Sequence, residues 1–379
     1  MSEASDWLGT QLPAMEAALG ALVEINSFTA NRDGGQRVVR LLEDVFAMPG
    51  LDGERIGSER FADHLIFRSA GKPGVEPIAL IGHLDTVFPP GSFEGYRVDG
   101  NLRRGPGVLD MKGGLVVIAW ALKAIASTVG LNAIAPVRLV IVSDEEVGSP
   151  EGAPLLRHTI AGSQLALVFE SGRANDAIVT QRKGTGSAKA VAIGKPAHAG
   201  NAYWEGANAI WALSRFVDRV QSLSSKETGV TVNVGVINGG TSKNTVPAEA
   251  RAELDLRFPT RALADELWVK LHHAAQSLAV EGVNVKVEPG AGRMPMEKLP
   301  GTDALVARYA TCAKSHGLAA DEAPRQGGGS DGNTAAAMGI PTIDALGPRG
   351  KGFHTPDEYI EVDTLISRAQ ALADFLLSP

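Results

Sequence analysis

The sequence predicts an α/β protein of two domains, in which a ferredoxin-like domain is inserted into a larger domain built on a mostly parallel central sheet. Short apolar runs bounded by turn residues alternate with helical patterns, as in parallel sheets covered by helices on both faces. After about Lys183 the predicted order changes to βαββαβ, which is the order of a ferredoxin-like unit. The 379 residues also exceed what one ordinary core holds. We therefore expect a first domain from 1–182 and 293–379, and an inserted domain from 183–292.

The elements of the first domain are predicted from periodicity and turn signals. Apolar residues that recur every three or four positions indicate helices, and short apolar runs flanked by turn residues indicate buried strands. In chain order we expect helices at 8–26 and 36–46, strands at 64–68 and 77–83, a short strand at 98–104 around the Asp99-Gly100 turn, a buried helix at 113–122, and strands at 137–142 and 165–170. Beyond residue 293 we expect a helix that opens near 327–333, a strand near 341–346 and a C-terminal helix.

The elements of the inserted domain differ in pattern, because its strands alternate polar and apolar residues. Such alternation predicts a sheet with one face on a core and one face in solvent. The expected strands lie at 186–194, 230–237, 249–258 and 283–287, and the expected helices lie at 206–223 and 262–278.

The composition excludes several classes of partner and site. The formal net charge is −7 and no long basic run occurs, so nucleic acid and anionic membranes are poor partners. The single cysteine, Cys312, excludes an intrachain disulfide and a zinc site made of several thiolates. The N-terminus lacks the apolar core of a signal peptide, and the apolar stretch 113–122 is too short to cross a membrane. We therefore expect a cytoplasmic protein.

One apolar run, 77–82, ends in a histidine that is followed two residues later by a carboxylate. His83 is placed at the carboxyl end of a predicted parallel strand, where ligand-contacting groups lie in open α/β sheets. Asp85 can fix the tautomer of that imidazole, as an outer carboxylate does for a metal-bound histidine. The alternative is a turn histidine whose hydrogen bonds are satisfied within the chain.

Carboxylates stand at the same end of two further predicted strands. Glu145 and Glu146 follow the strand at 137–142, and Glu170 ends the strand at 165–170. Each cluster alone is compatible with a solvated strand end, but three strands of the same polarity argue for one site.

A glycine-rich loop, 105–114, leads into the buried helix and presents Asp110 just before it. Its glycines let other groups approach the backbone closely. Loops of this kind often bind phosphate, although the spacing here fits neither the dinucleotide nor the P-loop motif.

These motifs resemble, in order along the chain, those of the co-catalytic zinc metallopeptidases, which include aminoacylases, succinyl-diaminopimelate desuccinylase, peptidase T and bacterial glutamate carboxypeptidase. The matching residues are His83-Leu84-Asp85, Asp110-Met111-Lys112-Gly113-Gly114, Glu145-Glu146, Glu170 and His354. The glutamate carboxypeptidase subgroup is the most similar, through Arg293, Gly327-Gly328-Gly329-Ser330-Asp331 and the C-terminal segment.

The resemblance implies two zinc ions per chain. It implies that Asp110 bridges them, with His83 and Glu170 on one ion and Glu146 and His354 on the other. Carboxylate and imidazole are ordinary zinc ligands, and two zinc ions about 3.5–4 Å apart share a nucleophilic hydroxide.

The resemblance also implies the remaining catalytic roles. Glu145 would take a proton from the bridging water and pass it to the leaving amine, and Asp85 would support His83. The peptide bond between Asp110 and Met111 is often cis in this family.

The inserted domain carries further candidates that only the resemblance distinguishes from surface polar residues. His198 would polarise the scissile carbonyl, often from the partner subunit of a homodimer. Asn244 and Arg257 would hold the substrate carboxylate, because guanidinium grips a carboxylate with two parallel hydrogen bonds. Arg293 and Gly329 are additional candidates for substrate contact.

One departure from the family concerns the side chain of the departing amino acid. No clear basic residue stands at the expected place after Glu170, although Arg173, Arg182 and Lys183 are nearby. The sequence therefore does not indicate a preference for glutamate.

We expect a di-zinc exopeptidase that hydrolyses the amide next to a free C-terminal amino acid. An N-acyl-amino-acid amidohydrolase with the same metal centre is the first alternative, and a metal-binding protein without catalysis is the second. Glu145 argues against the second, because a protein without catalysis has no need of that base. The expected partners are a small peptide or an N-acyl amino acid and a second copy of the chain.

Overall fold

The computed structural model describes residues 2–278 and 280–378, which form two compact units. The first unit comprises residues 2–181, 298–326 and 330–378, and the second comprises 182–278, 280–297 and 327–329. The predicted boundaries of the inserted domain, 183–292, lie close to these limits. Its function as a lid or dimerisation domain stays a prediction.

The helices of the chain are α1 (Glu3–Leu8), α2 (Leu12–Val23), α3 (Arg32–Val45), α4 (Lys112–Thr128), α5 (Gly152–Ile160), α6 (Ala209–Gln221), α7 (Arg261–Gln276), α8 (Thr302–Ser315), α9 (Asp331–Ala337) and α10 (Thr364–Leu377). The strands are β1 (Asp52–Ile56), β2 (His64–Arg68), β3 (Ile78–His83), β4 (Arg97–Asp99), β5 (Leu102–Arg104), β6 (Val137–Val142), β7 (Leu165–Val168), β8 (Gly184–Ile193), β9 (Ala197–His198), β10 (Thr231–Gly239), β11 (Thr245–Val246), β12 (Glu249–Phe258), β13 (Asn284–Arg293), β14 (Thr342–Ile343), β15 (Gly350–Lys351) and β16 (Tyr359–Glu361).

The central sheet of the first unit has the order β1-β2-β6-β3-β7-β14. Strand β3 pairs in parallel with β6 and β7, and β14 pairs in parallel with β7, whereas β1 and β2 are antiparallel. The mostly parallel sheet is therefore confirmed. Because β3, β6 and β7 run in the same direction, the residues that follow them meet at one edge of the sheet.

Helix α4 supplies much of the core of the first unit. Its residues 112–122 are all buried, and it packs against α10, α1 and α2. A helix that is apolar all round is stable only inside a core, which explains why the run at 113–122 carries no polar stripe.

The second unit contains the predicted βαββαβ order as β8-α6-β10-β12-α7-β13. Its strands pair antiparallel in the order β10-β12-β8-β13. Along β12, buried and more exposed residues alternate, and the buried ones, such as Leu254 and Leu256, belong to the core formed with α6 and α7. The opposite face of this sheet carries the polar side chains.

Several predicted boundaries were wrong. The helix expected at 8–26 is shorter, because α2 spans only Leu12–Val23 and has a proline in its first turn. Helix α1, which was not predicted, is a separate helix that ends at Leu8, before Gly9. The short strand expected at 98–104 around the Asp99-Gly100 turn is the hairpin β4–β5, which turns at Gly100 with a φ of 58°. Strand β7 ends at Val168, so Glu170 lies beyond the strand. Helices α5 and α8 were not predicted.

Within the part of the chain that the structure describes, no helix combines the length and the apolar character that a membrane crossing requires.

Gly114, in the first turn of α4, tests how closely this helix packs beneath the sheet edge. A Cβ at Gly114 would lie 2.1 Å from the carbonyl oxygen of Phe169, the residue before Glu170. We expect Gly114→Ala to lower the thermal unfolding midpoint by several degrees, because overpacking typically costs about 1–3 kcal/mol. In the matched control Gly57→Ala, the new Cβ has only the Asp63 carboxylate at 4.0 Å, so the midpoint should stay unchanged. Equal midpoints in scanning calorimetry would contradict the packing at Gly114.

Candidate metal centre

His83, the last residue of β3, is buried and oriented by the backbone that follows it. Its side chain is 1% exposed, and its Nδ1 lies 3.0 Å from the carbonyl oxygen of Asp85. A carbonyl oxygen only accepts hydrogen bonds, so Nδ1 carries the proton and Nε2 presents a lone pair. The Asp85 carboxylate is 3.4 Å from Nδ1, so the backbone of Asp85 makes the shorter contact that fixes the tautomer.

The Nε2 atoms of two histidines face the two oxygens of one carboxylate. His83 Nε2 lies 3.5 Å from Asp110 Oδ1 and 3.7 Å from Glu170 Oε1. His354 Nε2 lies 3.4 Å from Asp110 Oδ2 and 3.2 Å from Glu146 Oε2. The structure thus brings together all five predicted metal ligands, with Asp110 at the centre.

These separations fit ligands around metal ions better than they fit direct hydrogen bonds. Charge-assisted hydrogen bonds are about 2.7–2.9 Å long. Ligand atoms about 2.0–2.1 Å from a tetrahedral zinc ion lie roughly 3.3 Å from one another. Asp110 Oδ1 is also buried without a hydrogen-bond partner. The imidazole and carboxylate donors are therefore an appropriate set for zinc.

Each of two further groupings brings a histidine and two carboxylates into range of a single ion. The possible ligand atoms of His83, Asp110 and Glu146 lie within 4.8 Å of one another, and so do those of His83, Glu145 and Glu170. Glu145 therefore lies beside the ligands, where the sequence predicted the general base.

The close packing of buried carboxylates shifts the pKa values of the groups in this cluster. Burial raises the pKa of Glu146 to about 7. Burial and the charge of Asp110 raise the pKa of Glu170 well above its usual range. The Asp110 and Glu146 carboxylates, which face its Nε2, raise the pKa of His354 to about 10. A bound cation would replace the protons that these groups otherwise attract.

The three consecutive acids after β6 have different structural roles. Asp144 is fully buried, and its Oδ2 accepts hydrogen bonds from the N–H groups of Glu151 and Gly152 at the start of α5. The N–H groups of Glu145 and Glu146 donate to the carboxylate of Asp85, at 3.1 and 3.2 Å. Asp85 therefore holds the turn that carries the predicted base and a predicted ligand.

The glycine-rich loop is occupied by a side-chain carboxyl group of the same chain, that of Glu358. The Glu358 carboxylate accepts hydrogen bonds from the N–H groups of Gly107, Leu109 and Asp110, at 3.2, 2.8 and 2.9 Å. Convergent backbone N–H groups form an anion-binding concavity. Because Glu358 fills it, the loop is not a phosphate site. The peptide bond between Asp110 and Met111 is cis, as the resemblance implied.

His354 reaches the cluster from an exposed loop. Its φ of 62° is in the left-handed region, and its side chain is 48% exposed. It is thus the most accessible member of the five.

In the second unit, His198 lies on β9, and Asn244 lies immediately before β11, the strand that pairs with β9. The ladder joins His198 of β9 to Thr245 of β11, and the N–H of Ala199 donates to the carbonyl of Asn244. His198 Nδ1 accepts hydrogen bonds from the N–H groups of Gly200 and Asn201, so its proton is on Nε2. The exposed ring therefore offers a donor.

The other candidates of the second unit occupy its sheet and a loop. Arg257, on the polar face of β12, makes two hydrogen bonds of 2.9 Å with Asp255 through Nε and one terminal nitrogen. Arg293 ends β13, and its N–H donates to Thr185. Gly329 lies in the segment 327–329.

Comparison with known proteins identifies the family. Residues 79–378 match the peptidase family M20/M25/M40. The chain belongs to this family.

Members with established names differ in what they cleave. The M20 chain is 28% identical over 373 residues to carboxypeptidase G2 of Pseudomonas sp. (strain RS-16). The aligned region covers 96% of this chain and 89% of that protein. It is 31% identical over 274 residues to acetylornithine deacetylase of Myxococcus xanthus, and the aligned region covers 65% of this chain and 67% of that protein. The crystal structure of aminopeptidase PepT from Bacillus cereus ATCC 10987 superposes on this chain with a TM-score of 0.78 at 22% sequence identity. The superposition covers 97% of this chain and 98% of that chain. The M20 hydrolase class and its fold are thereby shown.

Sequence reasoning missed two side chains that support the ligands of this M20 chain. One is Glu358, and the other is Thr29, whose hydroxyl donates to the Asp85 carboxylate at 2.7 Å. Both act through contacts with residues distant in sequence, which leave no local pattern. The only available signal for Glu358 was its position four residues after His354.

Metal binding to this cluster should stabilise the folded chain. A ligand that binds only the folded state at about 1,000 times its Kd adds roughly 4 kcal/mol. We expect zinc to raise the thermal midpoint of chelator-treated protein by several degrees, and Asp110→Asn to abolish most of that rise. In the control Asp99→Asn, which changes an exposed carboxylate, the rise should persist. An unchanged midpoint of the unmodified protein with zinc would contradict a metal centre.

Proposed function

We propose that the protein is a di-zinc exopeptidase that hydrolyses the amide bond before a free C-terminal amino acid. The observation that carries the proposal is the Asp110 carboxylate, whose two oxygens each face a histidine Nε2 at 3.4–3.5 Å. A carboxylate in that position is suited to bridge two ions. Family membership and the similarity to carboxypeptidase G2 support the same reading.

Five side chains would hold the ions in this proposal. His83 and Glu170 would bind one, Glu146 and His354 the other, and Asp110 both. When bound, a pair of zinc ions supplies a nucleophilic hydroxide at neutral pH and polarises the carbonyl that it attacks.

Glu145 is the proposed general acid–base. Its carboxylate is within 4.8 Å of ligand atoms of His83 and Glu170, and Asp85 holds its backbone. It would accept the proton of the attacking water and deliver it to the nitrogen of the leaving amino acid. The same Asp85 carboxylate also accepts the N–H of Glu146, so one side chain holds the backbone of the proposed base and of a proposed ligand.

His198 is the proposed donor to the carbonyl oxygen. Its tautomer supports this role, because two backbone N–H groups hold Nδ1 as an acceptor and leave the proton on Nε2. Such a preorganised donor stabilises negative charge as it develops on oxygen.

Arg257 and Asn244 are the proposed clamp for the terminal carboxylate, with Arg293 and Gly329 as further contacts. Asp255 already holds the Arg257 guanidinium at Nε and one terminal nitrogen. That pairing fixes the plane of the guanidinium, and a substrate carboxylate would use the remaining donors or displace Asp255.

A homodimer is part of the proposal. Strand β10 is an edge of its sheet, and its exposed residues include Val236 and Ile237, at 45% and 53%. On α6, Trp211 is 52% exposed. Exposed edges with apolar side chains are suited to pair with another chain. We propose that the second unit forms this interface, and that the protein works in the cytoplasm.

The alternative activity is N-acyl-amino-acid amidohydrolysis. The similarity to acetylornithine deacetylase supports it, since that name denotes removal of an acyl group from an amino acid derivative. A panel of dipeptides and N-acyl amino acids distinguishes the two, because the proposed exopeptidase should favour peptide substrates.

Glu145→Gln tests the base. The substitution keeps the size of the side chain and all five ligands, so zinc content should be unchanged while kcat falls by about 10²–10⁴ or more. Glu151→Gln, in the same loop and outside the cluster, should keep both. Turnover of Glu145→Gln close to that of the unmodified enzyme would show that another group is the base.

Arg257→Ala tests the clamp. Losing a charge-assisted contact should cost roughly 1.5–3 kcal/mol in kcat/KM for substrates with a free C-terminal carboxylate, and little for the corresponding amides. Arg251→Ala is the matched control, because Arg251 lies on the same face of β12 and pairs with Glu249 two residues before it. Equal losses on acid and amide substrates would argue against a clamp.

Subunit exchange tests the placement of His198. His198→Ala and Glu145→Ala should each be nearly inactive alone. After complete exchange in an equal mixture, about half of the dimers are hybrids with one intact site each, so activity should return to about a quarter of the unmodified level. His272→Ala, which removes an exposed histidine of α7, should remain active alone. No recovery after verified exchange, or a monomer in solution, would contradict catalysis across subunits.

A further inference from the structure

The carboxyl group of Glu358 is fully buried, and it accepts hydrogen bonds from the backbone of the loop that carries the predicted ligand Asp110. Its side chain is 0% exposed, and both of its oxygens are used: Oε1 accepts from Leu109 and Asp110, and Oε2 accepts from Gly107. A buried carboxylate is costly unless it is hydrogen-bonded, so three donors on one loop indicate a specific attachment.

The same residue is fixed to the other loop that carries a ligand. The N–H of Glu358 donates to the carbonyl of Thr355, the residue after His354. Glu358 then leads directly into β16, which pairs with β5 just before the glycine-rich loop. Glu358 is thus a short, rigid connection between the backbone of Asp110 and the backbone next to His354.

We propose that Glu358 is a positioning residue that sets the metal affinity of the centre by holding Asp110 in register with His354. The inference rests on the proposed metal centre and adds a residue to it. Outer groups that orient ligands typically contribute 10–100-fold to metal affinity, because ligands that must be ordered at the moment of binding bind less tightly. A carboxylate is suited to this task since each oxygen accepts more than one hydrogen bond.

Two substitutions separate positioning from simple packing. In Glu358→Gln the amide oxygen can still accept from Leu109 and Asp110, while the amide nitrogen faces the N–H of Gly107 and one hydrogen bond is lost. In Glu358→Ala all three are lost. We expect zinc affinity, measured by competition with a chromogenic chelator, to fall by about 10–100-fold in Glu358→Ala and by less in Glu358→Gln.

Glu361, at the end of the strand that Glu358 leads into, offers a matched control. Its carboxylate binds Arg349 at 2.9 Å and does not contact the glycine-rich loop. Glu361→Gln should therefore keep the zinc affinity of the unmodified protein. The thermal midpoint of the metal-free proteins is measured alongside, and if Glu358→Ala does not fold, Glu358→Gln alone decides.

Cobalt supplies a second readout that simple destabilisation would not move. Cobalt-loaded Glu358→Gln should show altered visible absorption, since the ligands are held differently, whereas Glu361→Gln should match the unmodified protein. Unaltered zinc affinity and cobalt absorption in folded Glu358 variants would overturn the inference. If the Glu358 variants give that result while the unmodified enzyme is active, only the inference about Glu358 fails. If the unmodified chain binds zinc but hydrolyses no substrate, only the proposed function fails.

Discussion

The Asp110 carboxylate lies between two imidazole rings, and much of the first unit holds it there. His83 comes from the central strand of the sheet, and His354 comes from a loop near the C-terminus. Neither position is determined by Asp110 itself. The parallel register of β3 with β6 and β7 sets the first, and the small sheet β15-β16-β5-β4 sets the second. The candidate site therefore depends on two sheets meeting at one carboxylate.

The electrostatics of this arrangement explain why a cation belongs in it. Glu146, Glu170 and Asp110 are held close together, and burial raises the pKa of both glutamates. Without a cation, these groups repel one another or take up protons. The separations of 3.2–3.7 Å between imidazole nitrogens and carboxylate oxygens leave the ligands near one another without closing into hydrogen bonds. The fold thus holds these side chains close enough to bind a common cation.

The sequence was sufficient to predict the parts of the fold that follow from local pattern. The apolar run before His83 predicted its strand because buried parallel strands carry apolar residues at every position. The alternation along β12 likewise predicted one polar face. Where the prediction was wrong, a turn decided: the helix expected at 8–26 begins only at Leu12, after the chain breaks at Gly9.

The candidate site was predictable only as far as its residues stand at strand ends or in family motifs. His83 met both conditions, whereas Asp110 and Glu170, which lie outside the strands, met the second. The partners of Asp85 and the carboxylate in the glycine-rich loop did not, because Thr29 and Glu358 are 56 and 248–251 residues from the groups that they bind. The pairing of Arg257 with Asp255 was also missed, although the two residues share a face of one strand. Hydrogen bonds between a side chain and groups distant along the chain leave no periodic pattern in the sequence from which they could be predicted.

The most direct test of the account is a crystal structure of the zinc-loaded protein with anomalous scattering recorded at the zinc edge. The account predicts two zinc peaks about 3.5–4 Å apart, one bound by His83 and Glu170, the other by Glu146 and His354, and both by Asp110. A single peak at full zinc loading, or zinc held by other residues while Asp110 binds none, would contradict it.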